Sequence, residues 1–115
     1  MTAECLFCKM VSGQIKPNTV YEDNNMLAFK DINPQAPVHI LVIPKKHIAT
    51  LNDLEQETTG LVSKLFLTAV QIAKESGIAE SGYRTVMNCN ADAGQSVFHL
   101  HLHLLGGRIM HWPPG

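Results

Sequence analysis

The apolar positions of this 115-residue chain take up a helical period most clearly at Leu61, Leu65, Thr68, Ala69 and Ile72, with Lys64, Gln71 and Lys74 on another face. Gly77 suits the stop of that helix. Elsewhere the runs are shorter. Residues 5–11 are mostly apolar and end at Ser12-Gly13, enough for one or two helical turns. Val20-Tyr21 and residues 26–30 flank Glu22-Asp23-Asn24-Asn25, a polar turn of hairpin length. Pro34 and Pro37 break the chain before residues 39–43, an apolar, β-branched stretch that Pro44 stops. Residues 83–88 alternate, a polar loop covers 89–96, and a strictly alternating strand from His99 ends at Gly106-Gly107. The order is short helix, three strands, long helix, two strands. It predicts an α+β domain over residues 1–115: a five-stranded antiparallel sheet with one long and one short helix, both on one face.

Composition narrows the function. Apolar residues make up 45% of the chain and charged ones 17%, which suits a packed core and excludes a disordered segment. A net charge of -1 leaves no basic footprint for a nucleic-acid backbone, so a bound phosphate would be a small one held locally. No apolar run approaches the roughly 20 residues that span a bilayer, and no signal-peptide pattern begins at Met1; neither a membrane nor a nucleic acid is expected as partner. Three cysteines do not make a disulfide framework, and a cytoplasmic location is expected.

The most informative segment is His99-Leu100-His101-Leu102-His103. On a strand the three histidines point one way and the leucines the other, where they meet a core. A solvated strand face is normally filled with Thr, Lys, Glu or Ser. Three imidazoles about 7 Å apart would repel if all were charged. An ordinary solvated face, a row of metal ligands and a site for anion chemistry all fit the pattern; sharing protons with an anion fits it best.

The run His99-Leu100-His101-Leu102-His103-Leu104-Leu105 resembles the signature of the histidine-triad family. The likeness extends through Gly94-Gln95-Ser96-Val97-Phe98 and Asp31-Ile32-Asn33-Pro34-Gln35-Ala36-Pro37-Val38-His39. The C-terminal residues, Gly106 to Gly115, resemble the purine nucleoside phosphoramidase branch. The resemblance makes His101 the nucleophile that attacks the α-phosphorus, with its other ring nitrogen held by the carbonyl of His99 and a nucleotidyl-histidine as intermediate. It makes His103 a hydrogen-bond donor to phosphate and His39 the fourth histidine, able when protonated to act as general acid. Gly94, Gln95 and Ser96 would supply neutral donors to the transition state. Asp31 would accept both ribose hydroxyls, although alone it reads as a turn residue, as Asn88 alone reads as a strand end. Leu6, Phe7, Met10, Phe29 and Ile32 align with the family's purine pocket, and each would otherwise be read as core. A homodimer with one ten-stranded sheet is implied.

Cys5-Leu6-Phe7-Cys8 has metal-ligand spacing but is half a site, or merely two small apolar residues on a short helix. Some histidine-triad proteins complete such a pair with histidines at the positions of His47 and His99, so a structural zinc stays open; the chemistry itself needs no cofactor. Cys89 has no evident partner.

The favoured reaction is hydrolysis of adenosine or guanosine 5′-phosphoramidates to AMP or GMP and an amine. A dinucleoside polyphosphate hydrolase and a nucleotide-binding module with incidental hydrolysis are the rivals.

Overall fold

The computed structural model describes residues 4–115; Met1, where a leader would begin, lies outside them. Five strands form one antiparallel sheet, β1 (Thr19–Glu22), β2 (Met26–Lys30), β3 (Val38–Pro44), β4 (Tyr83–Val86) and β5 (Leu102–Gly106), in the order β1-β2-β3-β5-β4. Among the described residues two helices accompany it, α1 (Leu6–Val11) and α2 (Thr59–Glu75), with short 3-10 turns between the larger elements. Among the described residues no helix is long and apolar enough to cross a membrane.

The alternation along the strands builds two separate apolar layers. Met26, Ala28, Ile40, Val42, Leu100, Leu102 and Leu104 pack with Leu65, Ala69, Ile72 and Ala73 of α2. Leu27, Phe29, Leu41 and Ile43 point the opposite way and pack with Cys5 and Phe7 at the start of α1. The helices therefore lie on opposite faces, not together as the sequence suggested. The reason is that β2 and β3 are apolar on both sides, so both sides need a cover. The short helix was too small to show by period which face it would take.

Two strand limits also differ. β4 ends at Val86, two residues early, and the β5 ladder begins only at Leu102. His99, Leu100 and His101 lie outside regular pairing, and the N–H of Leu100 instead donates to the carbonyl of Ile48 at 2.6 Å. The predicted facing survives without the ladder, because Leu100 still enters the α2 layer.

Leu65 is fully buried in the α2 layer, away from the histidines. Leu65→Ala should cost about 2–5 kcal/mol in urea unfolding, with activity per folded molecule retained.

Candidate active site and metal cluster

Three histidines, His39, His99 and His101, are each held by a fixed backbone group, and this determines where the proton sits. His101 Nδ1 lies 2.7 Å from the carbonyl oxygen of His99. A carbonyl only accepts, so Nδ1 carries the hydrogen and Nε2 keeps a lone pair. His99 Nε2 lies 2.7 Å from the carbonyl of Pro44, at the end of β3, so its Nδ1 is the bare nitrogen. On His39 the polarity is reversed: the N–H of Gln35 donates to Nδ1 at 3.0 Å, and the Asp31 carboxylate stands 3.4 Å from Nε2. The proton of His39 is thus on Nε2, which donates to His103 Nδ1 at 2.9 Å. His103 in turn presents Nε2–H.

Packing brings these rings together. Leu41 pairs with His103 across β3 and β5, and His39 stands two residues along on the same face. The rings of His101 and His103 are 5.1 Å apart between centroids, and those of His39 and His103 5.2 Å, closer than an ideal strand implies. Phe7 meets His101 edge-on at 5.2 Å and His99 at 5.9 Å, so α1 backs the row. His99 and His101 are buried, not spread along a solvated face.

Burial, which disfavours the charged ring, holds His39, His99 and His101 below the ordinary imidazole value, against the pull of Asp31 on His39 and His101. Burial pushes His103 to about 4, with His101 and His39 adding to the shift. Protonation of His39 would also set two N–H groups against each other at Nδ1. A protonated His39 acting as general acid would have to overcome both effects.

Other expected donors are already used. Gln95 is buried, accepts from the N–H of Asn90 at 2.8 Å, and donates to the carbonyls of Ala49 and Val97. Its own N–H goes to Asn90 and that of Gly94 to Ala91. Both residues shape the loop, Gly94 through its left-handed φ of 84°, and neither has the expected donor to offer phosphate. Ser96 beside them is exposed. Asp31 closes a turn, accepting from the N–H of Asn33 at 2.8 Å, while its other oxygen faces His39. Asn88 shares a cavity of about 250 Å³ with His39, His103, Arg84 and Arg108. Of the five purine-pocket candidates, Phe7 and Phe29 are core, Met10 is half-buried, and Leu6 and Ile32 are exposed. A larger cavity of about 550 Å³, between residues 81–84 and 107–110, contains no histidine.

The residues missed in the sequence are Pro44, Gln35 and Arg108, which act through backbone groups or on them. No side-chain pattern announces that kind of role.

A second cluster adjoins the site. Cys5 Sγ, Cys8 Sγ, His47 Nδ1 and His99 Nδ1 all lie within 4.8 Å of one another. Cys5 Sγ and Cys8 Sγ are 3.3 and 3.5 Å from His99 Nδ1, and His47 Nδ1 is 3.2 Å from it. Two sulfurs and two nitrogens form a donor set that fits a tetrahedral zinc, and the Pro44 bond turns the bare nitrogen of His99 toward it. Burial and the Cys5 thiol push Cys8 up to about 11, so a bound cation would have to displace its proton. Asp31, His39 and His103 also converge closely enough to hold an ion. There a metal on His39 Nε2 would drive the ring proton onto Nδ1, against the N–H of Gln35, so hydrogen bonding suits that group better.

Comparison with known proteins agrees with this geometry. The family profile described as "Scavenger mRNA decapping enzyme C-term binding" matches residues 4–111. An uncharacterized HIT-like protein of Synechococcus elongatus is 50% identical over 115 residues, covering 100% of both chains. The purine nucleoside phosphoramidase of Escherichia coli K12 is 46% identical over 108 residues, 94% of this chain and 91% of that one. The crystal structure of a HIT family hydrolase from Legionella pneumophila Philadelphia 1 superposes with a TM-score of 0.96 at 54% identity, covering 97% of this chain and 100% of that one. With its triad on the α1 face of an antiparallel sheet, the chain belongs to the histidine-triad (HIT) family and is a hydrolase of that family.

Proposed function

We propose that residues 1–115 act as one domain that hydrolyses purine nucleoside 5′-phosphoramidates to the nucleoside monophosphate and an amine. The observation that carries this reading is the lone pair on His101 Nε2, produced by the Nδ1–H bond to the carbonyl of His99. His101 Nε2 attacks the α-phosphorus as the P–N bond breaks, giving a nucleotidyl-histidine. Water then attacks the same phosphorus, and the P–N bond to His101 breaks to return the free imidazole. His103 Nε2–H donates to a phosphate oxygen as charge builds, and Ser96 lies near enough in sequence to add a second donor. With four neutral rings the site offers no strong acid. A phosphoramidate nitrogen, more basic than an ester oxygen, can take up its proton from solvent and suits such a site.

Asp31, with lone pairs left beyond its turn bond, accepts the ribose hydroxyls, and Leu6, Met10 and Ile32 offer the surface on which a purine would rest. Exposed Phe66, Leu67 and Val70 on α2 and Tyr83 on β4 support a homodimer with a continuous ten-stranded sheet. The zinc cluster serves the fold: by holding the His99 ring it would brace the carbonyl that orients His101. The reading fits a protein that works in the cytoplasm.

His101→Ala should abolish turnover of an adenosine phosphoramidate while nucleotide binding, read by calorimetry, stays largely intact. Imidazole should restore part of the rate to His101→Gly. Near-normal turnover by the alanine variant would sink the mechanism, and an adduct trapped on His103 or His39 would reassign the nucleophile.

Purified protein should contain about one zinc per chain by elemental analysis. Chelation and Cys5→Ser should each lower the melting temperature. Metal-free protein with unchanged melting would return Cys5 and Cys8 to the role of small apolar residues.

The tail bears on substrate choice. Trp112 is 81% exposed, and the prolines after it stiffen the segment. Laid against a partner's site, it would leave room for a small amine and hinder a second nucleotide. kcat/KM should therefore be higher for an adenosine phosphoramidate than for diadenosine polyphosphates, and deleting residues 112–115 should shrink that preference. The opposite order would favour the dinucleoside polyphosphate reading.

A further inference from the structure

The loop between β2 and β3, residues 31–37, contains two prolines and carries the N–H that fixes the His39 proton. Proline lacks an N–H, so this loop can make few backbone bonds of its own. What holds it arrives from the far end of β5. Gly107 has φ +90°, and a Cβ there would stand 2.9 Å from Pro37 Cβ, so only glycine lets the chain turn so close to the loop. The turn lays Arg108 across it: Nε donates to the carbonyl of Gln35 at 3.0 Å and Nη1 to the carbonyl of Ile109 at 3.0 Å. A planar guanidinium holds two carbonyls in one fixed relation, which a flexible ammonium does not. The Gln35 side chain adds a bond to the carbonyl of Asn33 at 3.1 Å.

We propose that Arg108 is a positioning residue for the His39–His103 pair: it pins Gln35 so that the Gln35 N–H stays on His39 Nδ1 and the proton stays on Nε2. The chain of donors then runs one way, from the Gln35 N–H to His39, from His39 Nε2–H to His103 Nδ1, and from His103 Nε2–H into the site. This rests on the proposed place of that pair in the reaction. The charged and titratable groups around His39 are Asp31 in its own loop, Lys30 at the end of β2, His103 on β5, Arg84 on β4 and Arg108. Of these, Arg108 is the one that bonds Gln35, the residue bearing the N–H.

The test is ¹⁵N NMR of the His39 ring in the full chain, paired with the pH profile of kcat/KM for an adenosine phosphoramidate. In the native protein His39 should carry its proton on Nε2 alone at neutral pH and take a second proton only below the free-imidazole value of about 6.5. The reaction needs neutral rings, so activity should be full above the depressed values and lost only as pH falls through them. Arg108→Met should give a mixed His39 tautomer, move the acid limb up by about one pH unit, and lower kcat more than it raises KM. Arg108→Lys should recover part of both. Gly107→Ala, which displaces the same turn without touching a charge, should mix the tautomer as well. A native His39 protonated on Nδ1 would overturn the proposal, as would an Arg108→Met protein with native tautomer and native pH profile. If Arg108→Met does not fold, the native ring and Gly107→Ala decide. A mixed tautomer with unchanged kinetics would support Arg108 as positioning residue and remove His39 from the reaction.

Discussion

Backbone groups, which do not titrate near neutrality, hold the imidazoles of this site. The carbonyl of His99 orients His101, the carbonyl of Pro44 orients His99, and the N–H of Gln35 orients His39. An isolated imidazole in water exchanges between tautomers and gains a proton near pH 6.5. A ring set against a fixed acceptor or donor has one tautomer, and a buried ring resists the charge. The nucleophile, the donor to phosphate and the nitrogen offered to a metal are distinguished in this way, although all are histidines. The arrangement stands on two strand ends, since Pro44 closes β3 and His99 precedes β5, where carbonyls are not taken up by the ladder.

The two faces of the sheet divide the work. One carries the α2 layer, apolar and closed, which holds Leu100, Leu102 and Leu104 and so aims the intervening histidines at the other face. The second is covered by a helix of six residues, too short to be stable alone. Phe7 anchors α1 against His101, while Cys5 and Cys8 bring it to His47 and His99. The cover of the reactive face is thus tied to the residues it covers.

Much of this was legible in the sequence, because it rests on side-chain period. The leucine–histidine alternation, the α2 face, the first hairpin and the Cys-x-x-Cys pair each declare themselves by residue type at fixed spacing, and the resemblance joined them into a site. The sequence is silent where backbone chemistry decides. Gln95 has the donors a phosphate site needs, but the carbonyls of Ala49 and Val97 already take them. His39 has an acid's side chain, but a backbone N–H and burial disfavour its second proton. Phe7 and Phe29 align with a pocket motif and are buried, and their residue type suits core and pocket alike. Gln35 acts through its backbone, so residue type gave no sign of it.

The departure of residues 99–101 from the sheet has a thermal consequence. His103 sits in a ladder paired on both sides, whereas His99 and His101 depend on the Leu100 bond to Ile48 and on their own ring bonds. His99 and Leu100 are fully buried, however, so packing holds this segment where the ladder holds the strands. On warming, the nucleophile should stay in place until the α2 layer that holds Leu100 gives way, and rate and fold should be lost together.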